Sequence, residues 1–131
     1  MSPSMAAARA CMEESGLEVV DDGRGGLTSP RELTSEQVDL WQAEFARCGE
    51  DVGMFDPFTD DQLQELYALE VENHECLVEN GFESSPPPSE QAFLESWRGD
   101  GEPYNSLRAA LDNGTLQAAG AVCPSPLWSF G

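Results

Sequence analysis

The sequence predicts a mainly α-helical protein, a compact array of four to six helices with a short β-hairpin after the first and two intrachain disulfides. Three observations carry this expectation. Apolar residues recur at helical spacing in several separate stretches. Two of those stretches open on complete capping-box sequences. Four cysteines, Cys11, Cys48, Cys76 and Cys123, are spread along a chain of 131 residues. A chain of that length buries roughly two-thirds of its unfolded surface, enough for one core. The organisation expected is a single domain over 1–131 with an aromatic tail over 125–131.

The first helix is expected from about Ser4 to Ser15, with Met5, Ala8, Cys11 and Met12 at helical spacing and Ser4 as the cap. Gly16 stands where a left-handed C′ residue belongs, and Leu17 would fold back onto Met12 as a Schellman ending requires. Leu17-Glu18-Val19-Val20, closed by Asp22-Gly23 and Gly25-Gly26, reads as a strand and hairpin ending near Leu27-Thr28.

Two helix starts then share one chemistry. Thr34-Ser35-Glu36-Gln37 is a capping box flanked by the staple pair Leu33 and Val38, and Thr59-Asp60-Asp61-Gln62 repeats it with Phe58 and Leu63. Acids in both first turns suit the helix dipole. The helix from Ser35 to about Cys48 presents Val38, Trp41, Phe45 and Cys48 on one stripe. The next, Asp60 to Asn80, is about 30 Å long. Its broad apolar stripe holds Leu63, Leu66, Tyr67, Val71, Leu77 and Val78, with Asp61, Glu65, Glu72 and Glu79 opposite. Gly81 and Phe82 form a second Schellman ending on Leu77.

Ser84-Ser85-Pro86-Pro87-Pro88 excludes helix and predicts an extended connector. Ser89 caps a helix carrying Phe93, Leu94 and Trp97, broken by Gly99-Asp100-Gly101. Short helices are expected around Tyr104 to Leu111 and Thr115 to Val122, before Pro124, Pro126 and the tail. The expected core is Met12, Leu17, Val19, Trp41, Phe45, Leu63, Leu66, Leu77, Phe82, Phe93, Trp97 and Leu107.

The segment Ala10-Cys-Met-Glu-Glu-Ser-Gly-Leu-Glu-Val19 echoes Glu75-Cys-Leu-Val-Glu-Asn-Gly-Phe-Glu-Ser84, with Cys, Glu, Gly and Glu in register. The echo divides the chain into pseudo-repeat halves of about 4–58 and 59–124. Four cysteines allow three pairings. Cys11–Cys48 and Cys76–Cys123 are favoured, because each joins an echoed helix end to the nearest downstream helix. Such loops would contribute roughly 3–4 kcal/mol each. A zinc site would need close Cys pairs or neighbouring histidines, whereas successive cysteines here lie tens of residues apart. Buried reduced thiols in a cytoplasmic protein are the alternative to disulfides in an oxidising compartment.

These two Cys-Met/Leu-x-x-x-Gly-apolar helix ends resemble small exported proteins and lipoproteins of actinobacteria. The resemblance implies export and disulfide bonding, and no activity. The chain departs from that group at its N-terminus, where neither a signal sequence nor a lipobox-like cysteine stands; Cys11 falls inside an expected helix.

The charge balance excludes whole classes of function. There are 25 acidic residues against 6 basic ones, all arginines, for a net charge of −19. Such a surface repels nucleic acid and anionic membranes, so a cationic partner such as a basic protein, or simply solubility through self-repulsion, fits instead. No apolar run is long enough to span a bilayer. Between Arg47 and Arg98 there are thirteen acids and no cation. Asp61, Glu65, Glu72 and Glu79, with Trp128 and Phe130 of the tail, form the expected binding surface.

Catalytic patterns are missing. His74, the only histidine, sits four residues after Glu70 on the long helix. This is the one candidate acid/base pair, but no nucleophile or third group stands at a matching spacing. A structural hydrogen bond beside the core is the reading preferred. Calcium loops, phosphate loops and serine-nucleophile elbows are absent. Asn113-Gly114-Thr115 reads as a turn. The expectation is therefore a non-enzymatic exported protein without metal or cofactor, monomer or weak dimer, acting in the cell envelope by binding a protein or cationic ligand. The rival is an acidic mimic that occupies the basic groove of another protein, at home in the cytoplasm.

Overall fold

Both capping boxes form as the residue order dictates. Thr34 Oγ1 accepts from Gln37 N at 3.2 Å while Gln37 Oε1 accepts from Thr34 N at 2.9 Å. Thr59 and Gln62 repeat this reciprocal pair at the same two distances. From these starts run the two longest helices of the computed structural model, which describes residues 1–99 and 102–131. The order is α1 (Pro3–Glu14), β1 (Val20–Asp21), β2 (Leu27–Thr28), α2 (Ser35–Asp51), α3 (Asp60–Glu79), α4 (Glu90–Arg98), α5 (Arg108–Asp112) and α6 (Leu116–Val122), then a 3-10 turn over Pro126–Trp128. The chain forms two compact units, Met1–Pro57 with Trp128–Gly131, and Phe58–Leu127. Each contains one disulfide, Cys11–Cys48 and Cys76–Cys123 respectively.

In the first unit α1 begins earlier than its periodicity suggests. Ser2, not Ser4, is the cap: its Oγ accepts from Met5 N at 3.1 Å. Pro3 explains the shift, since proline is preorganised for the first helical turn, where its missing N–H costs nothing. The helix ends with Gly16 at φ 86° and Leu17 N donating to Met12 O at 3.2 Å. β1 and β2 pair antiparallel, Val20 with Thr28 and Asp21 with Leu27. Asp22 Oδ1 organises the turn between them, accepting from Arg24 N at 2.8 Å and Gly26 N at 2.9 Å. A side chain at Gly25 would run into the Trp128 backbone carbonyl, so glycine is required there. α1 packs on α2 around buried Ala8, Met12, Val19 and Cys48, with Leu17, Leu27, Trp41 and Phe45 against them.

In the second unit α3 buries Leu63, Leu66, Glu70, Asn73 and Leu77. Steps of three and four residues make this one helix face. Val78, expected in the apolar stripe, is 55% exposed; it lies one residue, about 100°, round from Leu77. α4 lays Phe93, fully buried, between Tyr67 and Trp97, with ring centroids 5.3 and 6.5 Å away. Phe58 stands 5.4 Å from the Trp97 ring. α4 ends at Arg98; of the residues expected to break it, Asp100 and Gly101 lie outside the described residues.

Residues 82–89 have neither helix nor strand, as their prolines require. The helix expected from Tyr104 begins only at Arg108. The Tyr104 hydroxyl and the Ser106 backbone are instead drawn into tertiary hydrogen bonds. The second Schellman ending forms, Gly81 at φ 80° and Phe82 N donating to Leu77 O at 2.9 Å. Of the expected core, Met12, Val19, Leu63, Leu66, Leu77, Phe93 and Leu107 are buried. Leu17, Trp41, Phe45, Phe82 and Trp97 are half-buried: units this small leave large rings with an edge in water. The ending-plus-cysteine echo is thus realised twice, with Cys11 and Cys76 each one residue before the Schellman acceptor.

Candidate functional site

All six arginines are described, and five of them are held by carboxylates: Arg9 by Glu13, Arg31 by Glu18, Arg47 by Glu44 and Asp51, Arg98 by Asp60, and Arg108 by Glu102 and Asp112. None of these cations reaches Asp61, Glu65, Glu72, Glu75 or Glu79, all of which are exposed. At 3.6 residues per turn these five positions fall within a sector of about 80°. They form one stripe along α3, opposite its buried face. Four of the five are the residues expected from sequence; Glu75 completes the row. A stripe of unpaired carboxylates backed by a packed apolar face is a concentrated negative field.

The buried side of α3 carries a different chemistry. Glu70 is wholly buried. Its Oε2 accepts from Ser106 N at 2.7 Å, while Oε1 has no hydrogen-bond partner. Burial pushes its carboxyl above the usual carboxylate range, and the hydrogen bonding from Ser106 offsets only part of that. Ser106 is the hub of the cluster. Its Oγ accepts from Asn73 Nδ2 at 2.8 Å, and its carbonyl accepts from Ser84 Oγ at 3.0 Å. Ser84 Oγ also meets His74 Nδ1 at 2.8 Å. Two tyrosines tie down the same connector, Tyr104 donating to Ser85 O and Tyr67 to Pro88 O, each at 2.7 Å. Burial raises the Tyr104 hydroxyl above its ordinary value, and the neighbouring Glu70 and Tyr67 add to this.

Glu70 and His74 therefore share a face but not a hydrogen bond. One holds the Ser106 amide; the other holds Ser84. The Ser84 hydroxyl has a single hydrogen, and the Ser106 carbonyl can only accept it. His74 must then donate from Nδ1, which fixes where the ring carries its proton. The Ser84 hydroxyl beside His74 gives its hydrogen to the Ser106 carbonyl, and the polar groups of this cluster tie the connector Ser84–Pro88 to α3 and to the 102–107 segment.

The disulfides differ in their surroundings. Arg47 stands 3.7 Å from Cys11 Sγ and 3.6 Å from Cys48 Sγ. Its guanidinium and the Ser15 hydroxyl hold Glu44 at about 2, far below a normal carboxyl. Near the other bridge, Asn80 Nδ2 donates to Cys76 O at 2.8 Å and approaches Cys123 Sγ at 3.9 Å. In the tail, Trp128 and Phe130 are half-buried, and Gly131 O accepts from Ser4 N at 3.1 Å. The tail is docked on its own unit rather than projecting from it. Among the described residues, no group of three or more His, Cys, Asp or Glu side chains could hold a metal ion.

Sequence reasoning missed Asn73, Ser84, Tyr104 and Ser106. Asn73 had a signal, since a polar side chain in an apolar row needs a buried partner. Ser106 had none, because its role comes entirely from the return of the chain over α3. No protein-family model, curated protein or solved structure matches this chain.

Proposed function

We propose that this chain is a non-enzymatic, exported acidic protein that works in the cell envelope by binding a basic protein partner. The observation that carries the reading is the unpaired carboxylate stripe Asp61, Glu65, Glu72, Glu75 and Glu79 on α3. Rows of like charge repel one another at neighbouring helical positions, so a partner that supplies the missing cations relieves a standing repulsion. The partner expected is a helix or extended segment bearing lysines or arginines at matching intervals, drawn in by long-range attraction and released by salt.

Two cross-links in so small a chain support an oxidising compartment. No helix among the described residues is long and apolar enough to cross a membrane. Glu70 is spent on the Ser106 amide and His74 on the connector at Ser84, which supports the non-enzymatic reading.

The test uses a lysine-rich helical peptide as probe and two variants of equal charge. One carries Asp61→Asn with Glu65, Glu72, Glu75 and Glu79 changed to Gln. The other neutralises five exposed acids of the first unit: Glu14, Glu32, Glu36, Asp39 and Glu50. Loss of binding by tenfold or more only in the α3 variant is the result expected. Equal losses would reduce the stripe to bulk charge and end the proposal. Thiol counting on protein taken directly from cells, under denaturing conditions, tests the compartment: none should be free, and four free thiols would favour the intracellular mimic instead.

A further inference from the structure

Glu70 is the one buried carboxyl among the described residues of the second unit, and its hydrogen-bond partner is Ser106. Its hydrogen-bond network runs through Ser106 to Asn73 and Ser84, and through Ser84 to His74. Tyr104 is near enough to feel its charge, and Tyr67 and Tyr104 fasten the connector. None of these is an arginine, and Arg108, two residues after Ser106, is exposed and engaged with Glu102 and Asp112. A carboxylate here would have only Ser106, through its amide and its side chain, for company, and Oε1 without a hydrogen-bond partner. A neutral acid leaves only a hydroxyl unsatisfied, a far smaller penalty than a buried charge.

We propose that Glu70 is a proton-operated latch: held neutral it keeps the 102–107 segment closed over α3 and bonded to the connector at Ser84 and Ser85, and on ionising it lets that segment part from both.

The coupling runs through atoms already placed. An ionised Glu70 needs water at Oε1, and water enters only if the elements around it separate. Ser106 bonds Glu70 through its amide and Ser84 through its carbonyl, so hydrating the carboxylate strains the bond that holds the connector. His74 does not act as the switch. Both the Nδ1–H tautomer and the cation donate from Nδ1 to Ser84. The sign follows from burial. The folded state keeps a proton that the unfolded chain gives up, so the contribution of Glu70 is complete below its unfolded value of 4.5. It is lost as pH rises through the higher folded value.

The experiment follows the Glu70 side-chain carboxyl carbon and the backbone amides of Glu83, Ser84, Ser85 and Ser106 by NMR across a pH series. In the native chain the Glu70 carbon should titrate above the ordinary carboxylate range, and the Ser84, Ser85 and Ser106 amides should shift with the same midpoint. In Glu70→Gln, which keeps an acceptor for Ser106 N, that amide movement should vanish. A Glu70 carbon titrating in the ordinary range overturns the proposal. So does a high Glu70 midpoint without movement at Ser84 and Ser85, or the same movement persisting in Glu70→Gln. Should that variant not fold, the two midpoints in the native chain still decide the matter.

Discussion

Replacing Cys76 and Cys123 together by alanine removes the cross-link that closes a separation of 47 residues. The native unit loses few contacts, because the alanine methyls remain where the cysteine Cβ atoms stood. The change falls on the unfolded ensemble, which regains the loop freedom the bridge denied it. On the chain-entropy relation this costs about 4 kcal/mol, and the space left by the buried Cys123 sulfur adds about 1 kcal/mol at most. Against a typical total of about 5–15 kcal/mol, such a loss approaches unfolding. Removing Cys11 and Cys48, separated by 37 residues, should cost nearly the same. The logarithm of the two lengths separates them by only about 0.2 kcal/mol. Urea unfolding followed by far-ultraviolet circular dichroism measures both. The midpoint should fall and the slope should rise, since an unlinked chain exposes more surface. A loss below about 1 kcal/mol in either variant would refute the entropic account, showing that the open chain is already confined without its bridge.

Two further outcomes are expected. Thr59→Ala should destabilise the protein by about 1 kcal/mol in the same urea assay, because it removes the acceptor of the α3 capping box; an unchanged midpoint would mean the cap adds nothing to packing. Glu44 should stay ionised until pH approaches about 2, by carboxyl-carbon NMR. Its folded value is lowered, so its contribution is present above the unfolded value and fades as pH falls towards that figure. Arg47→Met should move Glu44 up towards the ordinary carboxylate range, with the Ser15 hydroxyl still holding it below.

Much of the fold is legible from residue order because it depends on neighbours within a few positions. Thr34 with Gln37, Thr59 with Gln62, Gly16 with Leu17 and Gly81 with Phe82 each form a terminus whose partners lie within a single turn. The helix cap at Ser2 departs from the expected Ser4 because Pro3 is a stronger local signal than apolar periodicity. The exposure of Val78 and the half-burial of Trp41, Phe45, Phe82 and Trp97 were not legible. Helical spacing tells which residues can share a face, but not how wide a strip of that face another element covers. The acidic stripe on α3 was readable for the same reason the caps were, since a straight helix places Asp61, Glu65, Glu72 and Glu79 by arithmetic alone.

Local sequence by itself determined the helix ends, the hairpin, the cysteine echo and the charged face, all of which arise from interactions a few residues long. Only the tertiary structure decided that Tyr104 to Leu107 would stay out of helix and that Ser106 would join Glu70, Asn73 and Ser84. It also decided that Glu70 and His74 would face different partners. Those bonds span ten to thirty-six residues, and a hydrogen bond between distant residues leaves no periodic trace. It exists because the chain, once its apolar rows are buried, must find partners for every polar group buried with them.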